Sequence, residues 1–168
     1  MFSDINNHKY SISSSHKIWE YTTQAQGLAP PNREWNKQLF DISKLNIHIG
    51  TLDRQEEPNI HPTWYYFDTT GNRFYIETSK KSRKTENLNA KNVIYYCVDD
   101  PTPPYKGVRG KGRVKIHKDI THNIPIAEKI MVLEHPMAIS LMNSVRRGDS
   151  VILEVSSSLA STLHMSSM

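Results

Sequence analysis

Hydrophobic and polar positions change rhythm near residue 46. Before it, Trp35, Leu39 and Ile42 recur at helical spacing within residues 33–44, which predicts an amphipathic helix. A shorter helix is expected between His16 and Gln26, around Ile18 and Trp19. From Asn46 onward the period falls to two. Ile47, Ile49 and Thr51 alternate with His48 and Gly50, giving a first strand. The turn DRQEEP at 53–58 leads into a second, Asn59 to Asp68, whose half Trp64-Tyr65-Tyr66-Phe67 is apolar or aromatic on both faces, as in a central strand. Thr70-Gly71-Asn72 signals a hairpin turn into a third strand carrying Phe74 and Ile76, with Thr78 and Ser79 breaking its pattern.

Ser82 then reads as the N-cap of a helix from Arg83 to Ala90, with Leu88 inward. Val93 to Val98 is a further central strand, and DDPTPPY at 99–105 a loop, because prolines do not fit a ladder. Gly107 to His117 alternates most cleanly. Val108, Gly110, Gly112, Val114 and Ile116 take one face; Arg109, Lys111, Arg113, Lys115 and His117 take the other. The two glycines predict a bulge or bend. Helices over 124–133 and from Pro136 follow, the second with Met137, Leu141, Met142 and Val145 inward and a stop at Gly148. A last strand, Val151 to Val155, precedes serine-rich sequence. The count is six short strands with peripheral helices, which predicts a mainly β, small closed or partly closed barrel. Three parts result: a polar N-terminal extension (1–32), one domain (33–156) and a serine-rich tail (157–168).

Charge adds a site. The chain carries 21 Lys and Arg in 168 residues, about half of them within 80–91 and 106–118. Lys80, Lys81, Arg83 and Lys84 crowd a helix N-terminus that the macrodipole already makes positive, at a cost of about 0.3–1 kcal/mol each. A bound anion would offset that cost. Hydroxyls at Thr78, Ser79 and Ser82, together with free amides, suit a phosphate. The competing reading is a solvated basic turn.

Other chemistry is sparse. Cys97 lies in an apolar strand with no basic neighbour in sequence, so it reads as a packed thiol. Eight histidines show no ligand-like spacing, so no metal is expected, and no Gly-x-Ser-x-Gly elbow is present. There is no apolar run of membrane-spanning length and no apolar signal core, so a cytoplasmic protein without membrane attachment is expected. Trp64, Tyr65 and Tyr66 can stack on a ring or pack a core.

The order HPTWYYFD, FYIETSKKSRKTENL and PYKGVRGKGRVKI resembles the pyridoxamine 5′-phosphate oxidase-like, flavin-binding split-barrel superfamily, over residues 35–156. Thr78-x-x-x-Ser82-Arg83-Lys84, followed by Asn87-Leu88, carries most of the likeness. The resemblance implies a six-stranded split β-barrel and a homodimer with its cofactor at the subunit interface. It also implies FMN, or alternatively the deazaflavin coenzyme F420, with the phosphate on Thr78, Ser79, Ser82, Arg83 and Lys84. The strand at His61, Pro62, Thr63 and Trp64 would run beside the ring, mainly through its backbone. Lys106 and Arg109 are candidates to stabilise charge on the reduced ring. Oxidases of pyridoxamine phosphate end in a Trp-x-x-x-Arg-Leu-like segment, whereas this chain ends VSSSLASTLHMSSM, and their basic residue at the start of strand two is replaced by Ile60-His61-Pro62. The implied activity is oxidoreduction of a small molecule that the sequence does not identify. Two alternatives are a flavin carrier or sensor without turnover and a barrel that binds single-stranded nucleic acid, the latter a less favoured partner.

Overall fold

Burial follows the alternation that the sequence sets up in β1 (Ile47–Leu52): Ile47, Ile49 and Thr51 are buried and His48 is exposed. The computed structural model describes residues 45–102, 106–131 and 138–164. The two helices expected before residue 45, the prolines at 103–104 and the helix start at Pro136 and Met137 lie outside them. The other elements are β2 (Pro58–Thr63), β3 (Tyr66–Asp68), β4 (Arg73–Ser79), α1 (Arg83–Ala90), β5 (Val93–Asp100), β6 (Lys106–His117), α2 (Ile120–Met131), α3 (Ala138–Arg146) and β7 (Ser150–His164). The strands form one antiparallel sheet in the order β2-β1-β5-β6-β7-β4-β3.

That order revises the second strand. Asn59 to Asp68 is two strands, β2 and β3, at opposite edges of the sheet, so the described strands number seven, one more than expected. Pro58 and Pro62 suit an edge, where a missing amide costs no ladder bond. Three residue steps, Thr63 to Tyr66, therefore join strands that a flat sheet would hold six spacings, or roughly 29 Å, apart. Those steps reach about 11 Å at most. The sheet has to curl, and it forms a half-barrel closed by that short link.

The inward face is the core. Tyr65 and Phe67 pack on Phe74, with centroids 5.6 and 4.9 Å apart, and Tyr96 meets Phe74 at 5.0 Å. Ile47, Ile49, Ile76, Ile94, Val98 and Leu153 complete the layer. Thr78 does not break β4: it is buried on the same face as Phe74 and Ile76, and the strand runs to Ser79. The bulge expected in β6 is a register shift between Lys111 and Gly112. A side chain at Gly112 would place Cβ 2.8 Å from the Ser156 carbonyl oxygen, so only glycine fits. The last strand is also longer than expected. Beyond Val155, the serine-rich residues up to His164 continue β7 and pair with the first half of β6.

On the outer side, α2 packs over β3, β4 and β7, and α3 packs on α2 through Ala127, Met142 and Val145. α2 starts at Ile120, earlier than expected, because the Asp119 carboxylate caps the His122 amide at 2.7 Å. Beneath it, the Glu154 carboxylate accepts from Arg73 and lies 2.7 Å from His117 Nε2. Gly148 ends α3 with φ +72°, its amide bonding the Val145 carbonyl while that of Asp149 bonds Ser144.

Candidate functional site: a hydroxyl- and cation-lined turn

β4 ends beside β7, and α1 begins after three intervening residues. Ser79 pairs with Ser150, and the Lys80 amide donates to the Asp149 carbonyl at 2.9 Å, which fixes the turn to the rim of the half-barrel. Ser82 is the N-cap, with φ −72° and ψ 148°, and its Oγ accepts from the Thr85 amide at 3.3 Å. The Ser82 amide is taken by the Ser79 carbonyl at 3.1 Å. Of the four first-turn donors that no helical carbonyl can accept, those of Ser82 and Thr85 are taken in this way, which leaves the amides of Arg83 and Lys84.

A chain of hydroxyls runs below them. Thr78 Oγ1 lies 3.1 Å from Ser82 Oγ, which lies 2.9 Å from Thr85 Oγ1; Thr85 in turn donates to the Ser79 carbonyl at 2.8 Å. Ser79 Oγ accepts from the Lys81 amide at 3.2 Å. Thr78 and Thr85 are buried. Thr85 was not among the residues singled out from sequence; its position at the third helical residue, after a serine cap, was the available signal.

The four cations do not behave alike. Lys80, Lys81 and Arg83 are exposed, whereas Lys84 is half-buried. Burial pushes the Lys84 ammonium below the usual lysine range, and Glu77 only partly opposes this. Glu77 itself is held above the usual carboxylate range by burial, against a hydrogen bond from Ser150 and the charge of Lys84. Sequence reading did not pick out Glu77, since strand alternation alone gives it an unremarkable outward place.

His61 reaches the same neighbourhood from β2. It pairs with Ile49, so it shares the inward face with Asn59 and Thr63. Burial lowers its pKa from the ordinary value, and the charges of Lys84 and Arg83 lower it further. Its Nε2 is buried without a hydrogen-bond partner among the described residues, as is Asn59 Oδ1. Pro62 faces outward, and Trp64 lies half-buried in the link to β3. Asn87 and Leu88, also in the motif, dock α1: Leu88 joins the core and Asn87 Nδ2 donates to Thr51 Oγ1 at 3.0 Å.

Lys106 and Arg109 lie elsewhere. Arg109 pairs with Ser161, ten residues along β7 from the Val151 that pairs with Thr78, or roughly 33 Å along the strand. Of the aromatics, Tyr65 is 1% exposed, and Tyr66 stacks on Tyr75 with Lys129 over its ring. That takes Tyr65 and Tyr66 out of a stacking platform for a single-strand binder, while Tyr95 on β5 is 46% exposed with Lys111 over its ring. Among the described residues no three His, Cys, Asp or Glu side chains are placed to hold a metal, and no helix is long and apolar enough to cross a membrane.

Comparison with known proteins agrees with this architecture. The sequence model of the family described as pyridoxamine 5′-phosphate oxidase matches residues 44–156. No curated protein matches the chain. Among solved structures, a conserved hypothetical protein from Mycobacterium tuberculosis superposes with TM-score 0.69 at 18% identity, over 86% of this chain and 91% of that one. A structure named F420 reductase gives 0.58 at 21% identity, covering 74% and 94%. A pyridoxamine 5′-phosphate oxidase-related, FMN-binding protein from Nostoc punctiforme gives 0.60 at 12% identity, covering 83% and 86%. At these identities the structures show a shared fold, and the matched sequence model shows the family. The curled antiparallel sheet, the capped cationic turn on its rim and the match across residues 44–156 together place this chain in the pyridoxamine 5′-phosphate oxidase family.

Proposed function

We propose that this chain is an oxidoreductase of a small molecule that binds FMN, or alternatively coenzyme F420, with the cofactor phosphate seated at Thr78–Lys84. The observation that carries the reading is Lys84: a half-buried ammonium next to a guanidinium, with Glu77 as its one acidic influence among the described residues. A phosphate there would accept from the Arg83 and Lys84 amides, from both side chains and from the hydroxyls of Thr78, Ser79 and Ser82. The names of the two cofactor-linked relatives support both choices of ring.

The bound ring would supply the two-electron chemistry. The protein's part is placement. β2 is an edge strand, so the backbone of His61, Pro62 and Thr63 would offer a side to a flat ligand, with Trp64 following in the link to β3. The short Thr63–Tyr66 link and the docking of α1 through Asn87 hold that strand and the phosphate turn in fixed relation. Lys106 and Arg109, on the far half of β6, enter this proposal as contributions of a second subunit in a homodimer. Residues 33–156 are the cofactor-binding domain in this reading, with β7 running on beyond it.

Titration of the purified protein with FMN and with F420, followed by absorbance and sedimentation, tests the proposal. One of the two should bind as a dimeric complex with a perturbed ring spectrum. Failure of both to bind would overturn it.

A further inference from the structure

His61 is placed where a charged ligand would change its protonation. It lies inward on β2, with Nε2 buried and unpartnered among the described residues. A buried polar atom without a partner is uncommon in a folded protein and is accounted for by a water, an ion, strain or a function. Two cations, Arg83 and Lys84, act on the ring from the first turn of α1, and both disfavour a third positive charge. Among the described residues no carboxylate is a cause of its lowered pKa. Glu77 on β4 interacts with Lys84 and accepts a hydrogen bond from Ser150 of β7. Lys80 and Lys81 are exposed in the preceding turn, and Glu86 is exposed on α1.

We propose that His61 is the proton-linked element of the anion site: a dianion bound at Arg83 and Lys84 favours its protonated form, so anion affinity falls as pH rises through the His61 transition. This rests on the anion site proposed above and adds to it a residue and a pH dependence. The physical reason is reciprocity. A dianion among the two cations removes the repulsion that keeps the ring neutral, and the protonated ring then attracts the dianion. Burial also moves Lys84 down and Glu77 up from their ordinary ranges, so the His61 resonances and a His61 variant are what separate its effect from theirs.

Sulfate is the probe of choice, since it stays a dianion throughout the range and does not itself titrate. Ring resonances of His61 followed by NMR against pH, with and without saturating sulfate, should show its midpoint moving upward in the complex. For each pH unit moved, sulfate should bind about tenfold more weakly above the transition than below it. His61→Gln should still bind sulfate but with a flattened pH dependence, and His61→Asn serves if the first variant misfolds. A His61 midpoint indifferent to bound sulfate, or a Gln variant with the wild-type pH profile, overturns the inference and leaves the anion site standing. If the wild type binds sulfate no better than Lys84→Ala, the site itself is wrong and the inference falls with it.

Discussion

Asn87 Nδ2 donates to Thr51 Oγ1 at 3.0 Å, and both side chains are buried. This bond ties the helix carrying the cationic turn to a strand on the opposite half of the curled sheet. Asn87→Ala would leave the Thr51 hydroxyl without its donor, at a cost of about 1–3 kcal/mol. Urea denaturation should show that loss. Because α1 would dock less firmly, ligand affinity at the turn should fall as well.

Replacing the cations separates stability from binding. Lys84→Ala or Arg83→Ala should weaken cofactor binding by about 1.5–3 kcal/mol, the value of a charge-assisted hydrogen bond. Lys84→Met removes an ammonium that burial disfavours. The ligand-free variant should therefore melt higher than wild type, by at most about 1 kcal/mol, because water still screens the half-exposed group. Calorimetry without ligand, paired with a binding titration, reads both effects. A lower melting point would show that Lys84 is held by its surroundings and not by a ligand's charge.

Acid should act through His61. Its folded pKa lies below the ordinary 6.5, so the unfolded chain takes up the proton first as pH falls. The stabilisation is present above 6.5 and is lost as pH drops through the folded value. Denaturation midpoints measured from pH 8 down to 5 should fall more steeply in wild type than in His61→Gln.

A second charged cluster is structural. Glu154 is 9% exposed and accepts from Arg73 while bonded to His117, whose carbonyl accepts from Asn123 of α2 at 3.0 Å. Glu154→Gln should destabilise the protein by about 3 kcal/mol, at the low end for a broken buried pair because Arg73 is nearly half exposed. Ligand affinity should hardly change. A matching loss of affinity would link the α2 side to the site.

The sequence made some of this legible and hid the rest for physical reasons. Alternation in β6 was readable because apolar and basic residues mark opposite faces, and its glycines announced the bulge. Ser82 was readable as a cap because capping is local. The split of Asn59–Asp68 was hidden, since HPTWYYFD is continuously strand-like and the break comes from closing the sheet. Ser157 to His164 looked like tail because their partner, the first half of β6, lies some fifty residues away. The approach of His61 to Arg83 and Lys84 was equally invisible: curvature of the sheet, not spacing, brings them near.

The pairing of β4 with β7 joins residues 71 to 83 positions apart, and the turn that follows β4 is anchored to Asp149. On a ribosome, Thr78 to Lys84 therefore emerge long before the backbone that holds them in place. A ligand bound at this rim would have to wait until the seventh strand has left the exit tunnel, which would make its loading a late step in the maturation of the chain.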